Sequence, residues 1–407
     1  MTIVYVGRTT PNLLVDCGIW DRPLPEVKWG FPLGSEIVKR LVVRGHLVVV
    51  VTEHTVDVIE RFKCQTERGG LEVWLVPSRK RSRWTFLTLF SKEVCGIRTA
   101  IKEIKPDVVF AQWTYHNAYA GLTSGYPTLV AAHDSPWRVV WTMRSSIFLI
   151  KAIYSQLFVL PKIKNLSVVS PHIGNDFRKM GYKRQIILIG NGCSIESTFK
   201  GLGSGGVAKV VMVTQWCRLK NSKVMLKAWG IVHRRHKDWK LVVYGDYMDE
   251  HGARPWMCKV GLGDLIDCGA VELKGFAGQE LIREELRTAD LFVSPSLEES
   301  FGMVFVEAMR CGVPCIGGEK SGAVPWVLGV EDESRSRTKG NDYCLQGGVV
   351  CDVTKPEKLA ECIERVMEDW RLRKKLSDGG LRRVREMFDI EKVVDMYEAE
   401  LKKVAGC

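Results

Sequence analysis

Two series of short β-branched runs, each alternating with helix-like patterns, constrain this chain more than any other feature. In the first half the runs fall at residues 3–6, 47–51, 72–75, 107–110, 128–131, 167–169 and 186–188. In the second half they fall at 209–214, 240–244, 271–273, 290–293 and 314–316. Phe90, Val94, Ile97, Ile101 and Ile104 recur at helical spacing, a helix is expected over 222–233, and the chain reads as helical from Pro356 onward. Such alternation implies a parallel sheet covered on both faces, because parallel strands are joined by crossovers that lie on the sheet. The small residues of 201–206, Gly-Leu-Gly-Ser-Gly-Gly, break the alternation and read as a hinge. With 407 residues, two domains are expected. The reading is an α/β chain of two doubly wound, Rossmann-like domains facing a cleft. The first covers 1–200 and the second 207–390, with a final helix over 391–407 packing back on the first.

Charge and cysteine usage narrow the class. Residues 1–200 carry 27 Lys and Arg against 15 Asp and Glu, so the whole formal charge of +12 lies there and the remainder is neutral. A basic half implies an anionic partner: a membrane surface, an acidic acceptor or nucleic acid. No recognition helix or aromatic-interleaved RNA motif is present, which ranks nucleic acid low. Thirteen scattered cysteines without a metal-ligand pair read as reduced thiols of a cytosolic protein. The opening Met1-Thr-Ile-Val-Tyr-Val-Gly7 reads as a first strand and not as a secretory signal. The apolar segment 147–160, interrupted by Lys151, is too short to cross a bilayer and reads as a buried or interfacial helix.

The chemistry concentrates at 295–308. An apolar strand precedes Pro295, Glu299 and Glu307 stand eight positions apart around Ser300-Phe301-Gly302, and Cys311-Gly-Val-Pro314 ends the helix pattern. The layout puts one carboxylate in a loop above a parallel strand and another near the start of the next helix. The free N–H groups of the helix start lie between them. Amides there can take a phosphate, and carboxylates can take hydroxyls, so the stretch suits a phosphorylated sugar. Spacing alone is not the signal: Glu272 and Glu280 are also eight apart and are assigned no chemistry.

Residues 291–328 resemble the donor site of the retaining GT-B glycosyltransferases of family 4, the E-x7-E enzymes. Other runs resemble the same family: Gly34-Ser-Glu-Ile-Val38 with Arg44-Gly-His46, Ala132-His133-Asp134, Asn191-Gly192, Lys220-Asn221 and Gly275-Phe-Ala-Gly278. The resemblance implies a hexosyl transfer from a nucleotide-sugar donor, UDP- or GDP-linked, to a saccharide or lipid-linked acceptor, with retention, no metal and no cofactor. It implies Glu299 on the donor sugar, Glu307 on the ribose, and the backbone of Gly302, Met303 and Val304 facing sugar and diphosphate. Lys220 would meet the diphosphate, His133 would touch the donor sugar, Gly34 would admit the phosphates, and Gly275 and Phe276 would lie at the nucleobase. A nucleoside diphosphate leaves as a stabilised anion, so the carboxylates read as positioning groups, unlike the proton-handling pair of a glycosidase. An epimerase or hydrolase on the same fold, and a non-catalytic basic binding protein, are the rivals.

The sequence departs from the family at Gln215, where an arginine is usual, and Arg218 is the candidate replacement. The helix after Gly34 reads about one turn short. Several positions keep two readings. His133 is either a donor contact or a strand-end histidine bonded to backbone, and His116 is either acceptor-side or core. Gly322 shapes a donor loop or a plain helix-entry turn. The cations of 79–83 beside Trp84, Phe86, Leu87 and Phe90 suit an anionic bilayer or a solvated loop. Trp20 and Trp29 stack on an acceptor sugar or pack a loop.

Overall fold

The computed structural model describes residues 1–25, 30–79, 88–194, 208–329, 343–344 and 346–407. The 201–206 hinge, Trp29, residues 80–83, Trp84, Phe86 and Leu87 lie outside them. Two compact units divide the chain: Met1–Gly192 together with Ile390–Cys407, and Cys193–Asp389.

The first unit is built on nine strands: β1 (Thr2–Val6), β2 (Ile19–Trp20), β3 (Leu47–His54), β4 (Glu60–Gln65), β5 (Gly70–Pro77), β6 (Val108–Gln112), β7 (Thr128–Ala132), β8 (Asn165–Val168) and β9 (Ile186–Leu188). Their order is β2-β4-β5-β3-β1-β6-β7-β8-β9. All neighbouring pairs from β5 to β9 are parallel, and the β2–β4 and β4–β5 pairs are antiparallel. Central strands such as β6 and β7 are buried at every position, as a sheet covered on both faces requires. The edge strand β2 and its neighbour β4 are not legible in the sequence. In β4 burial alternates along a charged run, Glu-Arg-Phe-Lys-Cys-Gln, which has no apolar signal of its own. β2 is two residues long, and it holds Trp20 half-buried with its indole N–H donating to the Leu14 carbonyl at 3.3 Å. That tryptophan packs its own loop.

Three helices of this unit bear on the argument: α1 (Pro32–Val43), α2 (Pro136–Met143) and α3 (Ser146–Tyr154), the last running on into a π turn over Ser155–Val159. Pro32 at the first helical position starts α1 two residues before Gly34, so that glycine lies in the first turn and not in a preceding loop.

The second unit carries β10 (Lys209–Gln215), β11 (Lys240–Asp246), β12 (Val271–Gly275), β13 (Leu291–Val293), β14 (Cys315–Gly318), β15 (Tyr343–Cys344) and β16 (Gly348–Cys351), ordered β12-β11-β10-β13-β14-β16-β15. Only the β15–β16 pair is antiparallel. The neighbours in the middle of this order, β10 and β13, are joined in sequence through strands and helices on one side, while β14 continues on the other. β13 therefore sits beside the point where the strand order reverses, the place where doubly wound sheets bind ligands. Helices α4 (Ser222–Arg235) and α5 (Met303–Arg310) follow β10 and β13. In α5 the fully buried face is Phe305, Val306, Ala308 and Met309, and Val304 is only partly buried.

The chain ends in α6 (Ile390–Ala405), which belongs to the first unit. Ile390, Val393, Val394, Tyr397 and Leu401 enter its core, each burial stabilising by roughly 1.5–3 kcal/mol. Above that seam Arg44 pairs with Glu391, Asp395 and Glu398 at 3.1, 2.6 and 2.9 Å, and His46 meets Glu398 at 3.1 Å.

Candidate active site

In the second unit the chain leaves β13 through Ser294, Pro295 and Ser296, and short bonds fix its path. The Ser321 hydroxyl donates to the Ser296 carbonyl at 2.5 Å, and the Leu297 N–H donates to the Leu219 carbonyl at 2.8 Å. The second bond ties this loop to the one that carries Lys220. Glu299 then meets Lys220, with Nζ at 2.5 Å from Oε1, both side chains mostly buried. The Ala323 N–H holds the Glu299 carbonyl at 2.9 Å. Gly322, at φ +63°, lies under this turn, and a Cβ there would stand 2.4 Å from both the Glu299 carbonyl oxygen and Glu298 Oε1. The loop conformation that presents Glu299 requires glycine at 322.

Gly302 adopts φ +93° and starts α5 without a capping side chain. The first-turn N–H groups of Met303 and Val304 are thus available at the helix start, where the peptide dipoles favour an anion. Glu307, a turn further on, is half-buried. Burial raises its carboxyl above the usual range, and Arg310 and Arg283 only partly offset that. Asn221, at φ +52°, begins α4 beside Lys220, and its side-chain amide donates to the Val353 carbonyl at 2.8 Å. Arg218 is exposed one turn before Asn221, whose N–H donates to the Arg218 carbonyl at 3.2 Å. Gly275 ends β12 at φ +68°, with Phe276 beyond it 79% exposed, three strands from β13. The structure therefore joins Glu299 directly to Lys220 and sets the Gly302 amides and Glu307 on the adjoining helix.

In the first unit, His133 and Asp134 follow β7. The His133 ring bonds Gln112 at 2.7 Å and packs edge-on to Phe31 at 4.9 Å. Burial pushes its pKa down to about 4, against a smaller upward pull from Asn191. Asp134 accepts from the Tyr115 hydroxyl at 3.0 Å, and burial pushes its carboxyl up to about 6 despite Tyr115 and Lys151. Gly34 shares this corner through Phe31: a Cβ there would stand 2.2 Å from the Tyr5 hydroxyl and 2.7 Å from the Phe31 ring. His116 is not a simple core residue. It pairs with Glu53 at 2.5 Å and stacks on Phe90 at 4.6 Å. Gln112, Tyr115 and Glu53 were missed in the sequence. The signal that could have found them is position, since each follows or ends a parallel strand at its carboxyl end.

Among the described residues, no group of three His, Cys, Asp or Glu side chains could hold a metal ion. Nor is any described helix long and apolar enough to cross a membrane.

Comparison with known proteins decides the family. Residues 195–383 match the glycosyl transferases group 1 model, and residues 35–197 match that of Glycosyltransferase Family 4. The chain belongs to the family 4 glycosyltransferases. Curated relatives include N-acetyl-alpha-D-glucosaminyl L-malate synthase of Bacillus anthracis, 32% identical over 120 residues, which are 30% of this chain and 28% of that protein. The aligned stretches span about a third of the length of the first curated relatives. Sucrose-phosphate synthase of Thermosynechococcus elongatus superimposes over 100% of both chains with a TM-score of 0.70 at 17% identity. HepE of Anabaena, solved with UDP, covers 99% of this chain and 100% of its own with a TM-score of 0.65 at 16% identity. HepE has also been solved with UDP-glucose, with a TM-score of 0.62 at 15% identity over 99% of this chain and 100% of its own. The fold is GT-B. The matched family spans contain Lys220, Glu299, Glu307 and His133, while Gly34 lies one residue before them.

Proposed function

We propose that this chain is a retaining, metal-independent hexosyltransferase that uses a nucleotide sugar such as a UDP- or GDP-sugar. The acceptor is a saccharide or lipid-linked saccharide of cell-envelope or glycoconjugate synthesis, and the enzyme works on the cytoplasmic side, peripheral to a membrane. The observation that carries this reading is the Lys220–Glu299 pair at 2.5 Å beside the uncapped start of α5. That arrangement offers a cation and amides to a diphosphate and a carboxylate to sugar hydroxyls within one loop system. In the proposed step the bond from the anomeric carbon to the phosphate oxygen breaks, and the electron pair leaves with the nucleoside diphosphate. The acceptor hydroxyl oxygen bonds the same carbon from the same face, and its proton passes to the departing phosphate oxygen. Lys220 and the amides of Gly302, Met303 and Val304 stabilise the charge that grows on the diphosphate. Glu299 holds the sugar, Glu307 the ribose, and Gly275 and Phe276 the base side. Arg218 stands in for the arginine that Gln215 replaces. His133 and Gly34 serve from the first unit.

Thermal-shift measurements with UDP, GDP, ADP and their sugars should single out one donor, because specific binding raises apparent stability by mass action. Incubation of that donor without acceptor, followed by NMR of the products, then separates transfer from its rivals. Rapid epimerisation or free sugar would replace this reading with an epimerase or hydrolase.

A further inference from the structure

The helical pair that follows the His133-Asp134 turn exposes more large apolar side chains than the rest of its unit needs for packing. In α2, Trp137 and Trp141 are one turn apart, and Trp141 is 78% exposed. In α3 and its π turn, Leu149, Ile153 and Leu157 repeat at a spacing of four, with Leu157 62% exposed. The two stripes share one surface, because the Trp137 indole N–H donates to the Gln156 side chain at 3.2 Å, next to Leu157. Isolated exposed apolar residues need no account, but a contiguous set of this size marks a contact surface.

Charge identifies the contact. Between Asp134 and Asp176 the chain carries five Lys and Arg and no further acid, and Arg138 is paired with Asp176 at 2.7 Å. Arg144, Lys162 and Lys164 are exposed and, among the described residues, in no ion pair. A second copy meeting this face about a two-fold axis would set these cations against themselves. An anionic surface that also accepts tryptophan and leucine has the opposite sign and the right polarity. At nine residues α3 is too short to span a bilayer and suits the interfacial plane.

We propose that the α2–α3 face is the surface by which this chain docks on a bilayer bearing anionic headgroups. The inference rests on the glycosyltransferase reading for its purpose: α2 starts two residues after Asp134, and Lys151 of α3 lies 5.6 Å over the ring of Tyr115, which bonds Asp134. Docking here would bring a lipid-borne acceptor to that turn.

The test is co-sedimentation of the full chain with vesicles of phosphatidylcholine, with and without phosphatidylglycerol. Wild type should pellet with the mixed vesicles and stay in solution with the neutral ones. The double variant Trp141→Ser/Leu157→Ser and the triple variant Arg144→Glu/Lys162→Glu/Lys164→Glu should each lower binding on the order of ten-fold or more. Their thermal shift with UDP and GDP should match wild type, which keeps this test separate from that of the donor site. If one variant fails to fold, the other reads the same surface. Wild type left in the supernatant with mixed vesicles overturns the proposal, as do both folded variants binding like wild type. A wild-type dimer that the double variant splits would assign the face to a second copy instead.

Discussion

The loops after β13 and β7 occupy equivalent places at the carboxyl ends of parallel strands, yet they treat charge in opposite ways. After β13, Glu299 is partly buried and compensated by Lys220 at 2.5 Å. After β7, Asp134 is given a hydroxyl partner, Tyr115, and His133 an amide partner, Gln112. Burial then dominates there, raising the acid to about 6 and lowering the base to about 4, so the charged form of each is penalised. A strand end that keeps its ions paired suits a charged ligand such as a diphosphate. One that penalises the charged forms of its ionisable groups suits hydroxyl-rich, uncharged chemistry. Under the proposed function, the first kind of strand end would serve the diphosphate and the second the sugar hydroxyls.

The sharpest way to break the contrast is to remove the compensated charge. Lys220→Ala and Glu299→Gln should each lower turnover by about 10²–10³-fold, the scale of losing one preorganised electrostatic contact. Circular dichroism should be unchanged, and EDTA should leave wild-type turnover intact. Near-wild-type rates in either variant would remove the charged loop from the chemistry. A smaller effect is expected from Gly322→Ala. The positive φ and the 2.4 Å approach of a Cβ to the Glu299 carbonyl force the loop to move, costing roughly 1–3 kcal/mol. Denaturant titration should show that loss together with weaker nucleotide binding. If nucleotide affinity is kept, the loop's shape does not matter to the ligand.

The sequence made the second unit's site more legible than the first unit's, for physical reasons. Around Glu299 the signal is local: strand, glycines, carboxylates and helix follow one another within one loop, and only Lys220 comes from elsewhere. The first unit gathers Gln112, Tyr115, His133 and Asp134 from separate strand ends, and nothing in their linear spacing shows the meeting. Most of the parallel strands are legible because their centres are apolar runs, but β16, parallel to β14, is missed. β4 is not legible either, since its fitness for the sheet comes from pairing with β5 and not from its own composition. The resemblance puts Gly34 ahead of its helix, whereas Pro32 starts that helix two residues earlier.

The His133-Asp134 pair after β7 gives a pH signature. Asp134 has a folded pKa of about 6 against an ordinary 3.8, so its contribution to stability is fully present below 3.8 and is lost as pH rises through about 6. His133 has a folded pKa of about 4 against 6.5, so protonation favours the unfolded chain and stability falls as pH drops from 6.5 toward 4. Asp134→Asn keeps an acceptor for Tyr115 and removes the ionisation. Its melting temperature should exceed wild type at pH 8, and the gap should close below pH 4. A gap that shifts in favour of wild type as pH rises would show that Asp134 is stabilised as an anion and that the two strand ends are alike, and a constant gap would show that folding does not shift its ionisation.

The smallest effect tests whether the penalty on charge belongs to the β7 end or to the whole first unit. Glu398 of α6 lies in that unit but is treated like Glu299. Burial alone would raise it, yet hydrogen bonds from Lys402, Arg44 and His46 hold it down to about 2. Its contribution is present above its ordinary value of 4.5 and is lost as pH falls through about 2. Glu398→Gln should therefore cost about 1 kcal/mol at pH 7, the upper range for partly exposed ion pairs, with the cost fading in acid. It should leave turnover unchanged, because Glu398 supports the seam between α1 and α6 and touches no candidate site residue. Asp134→Asn and Glu398→Gln would then shift stability in opposite directions at neutral pH. Opposite signs place the difference in the strand end itself; equal signs would make the first unit uniformly hostile or uniformly favourable to buried carboxylates.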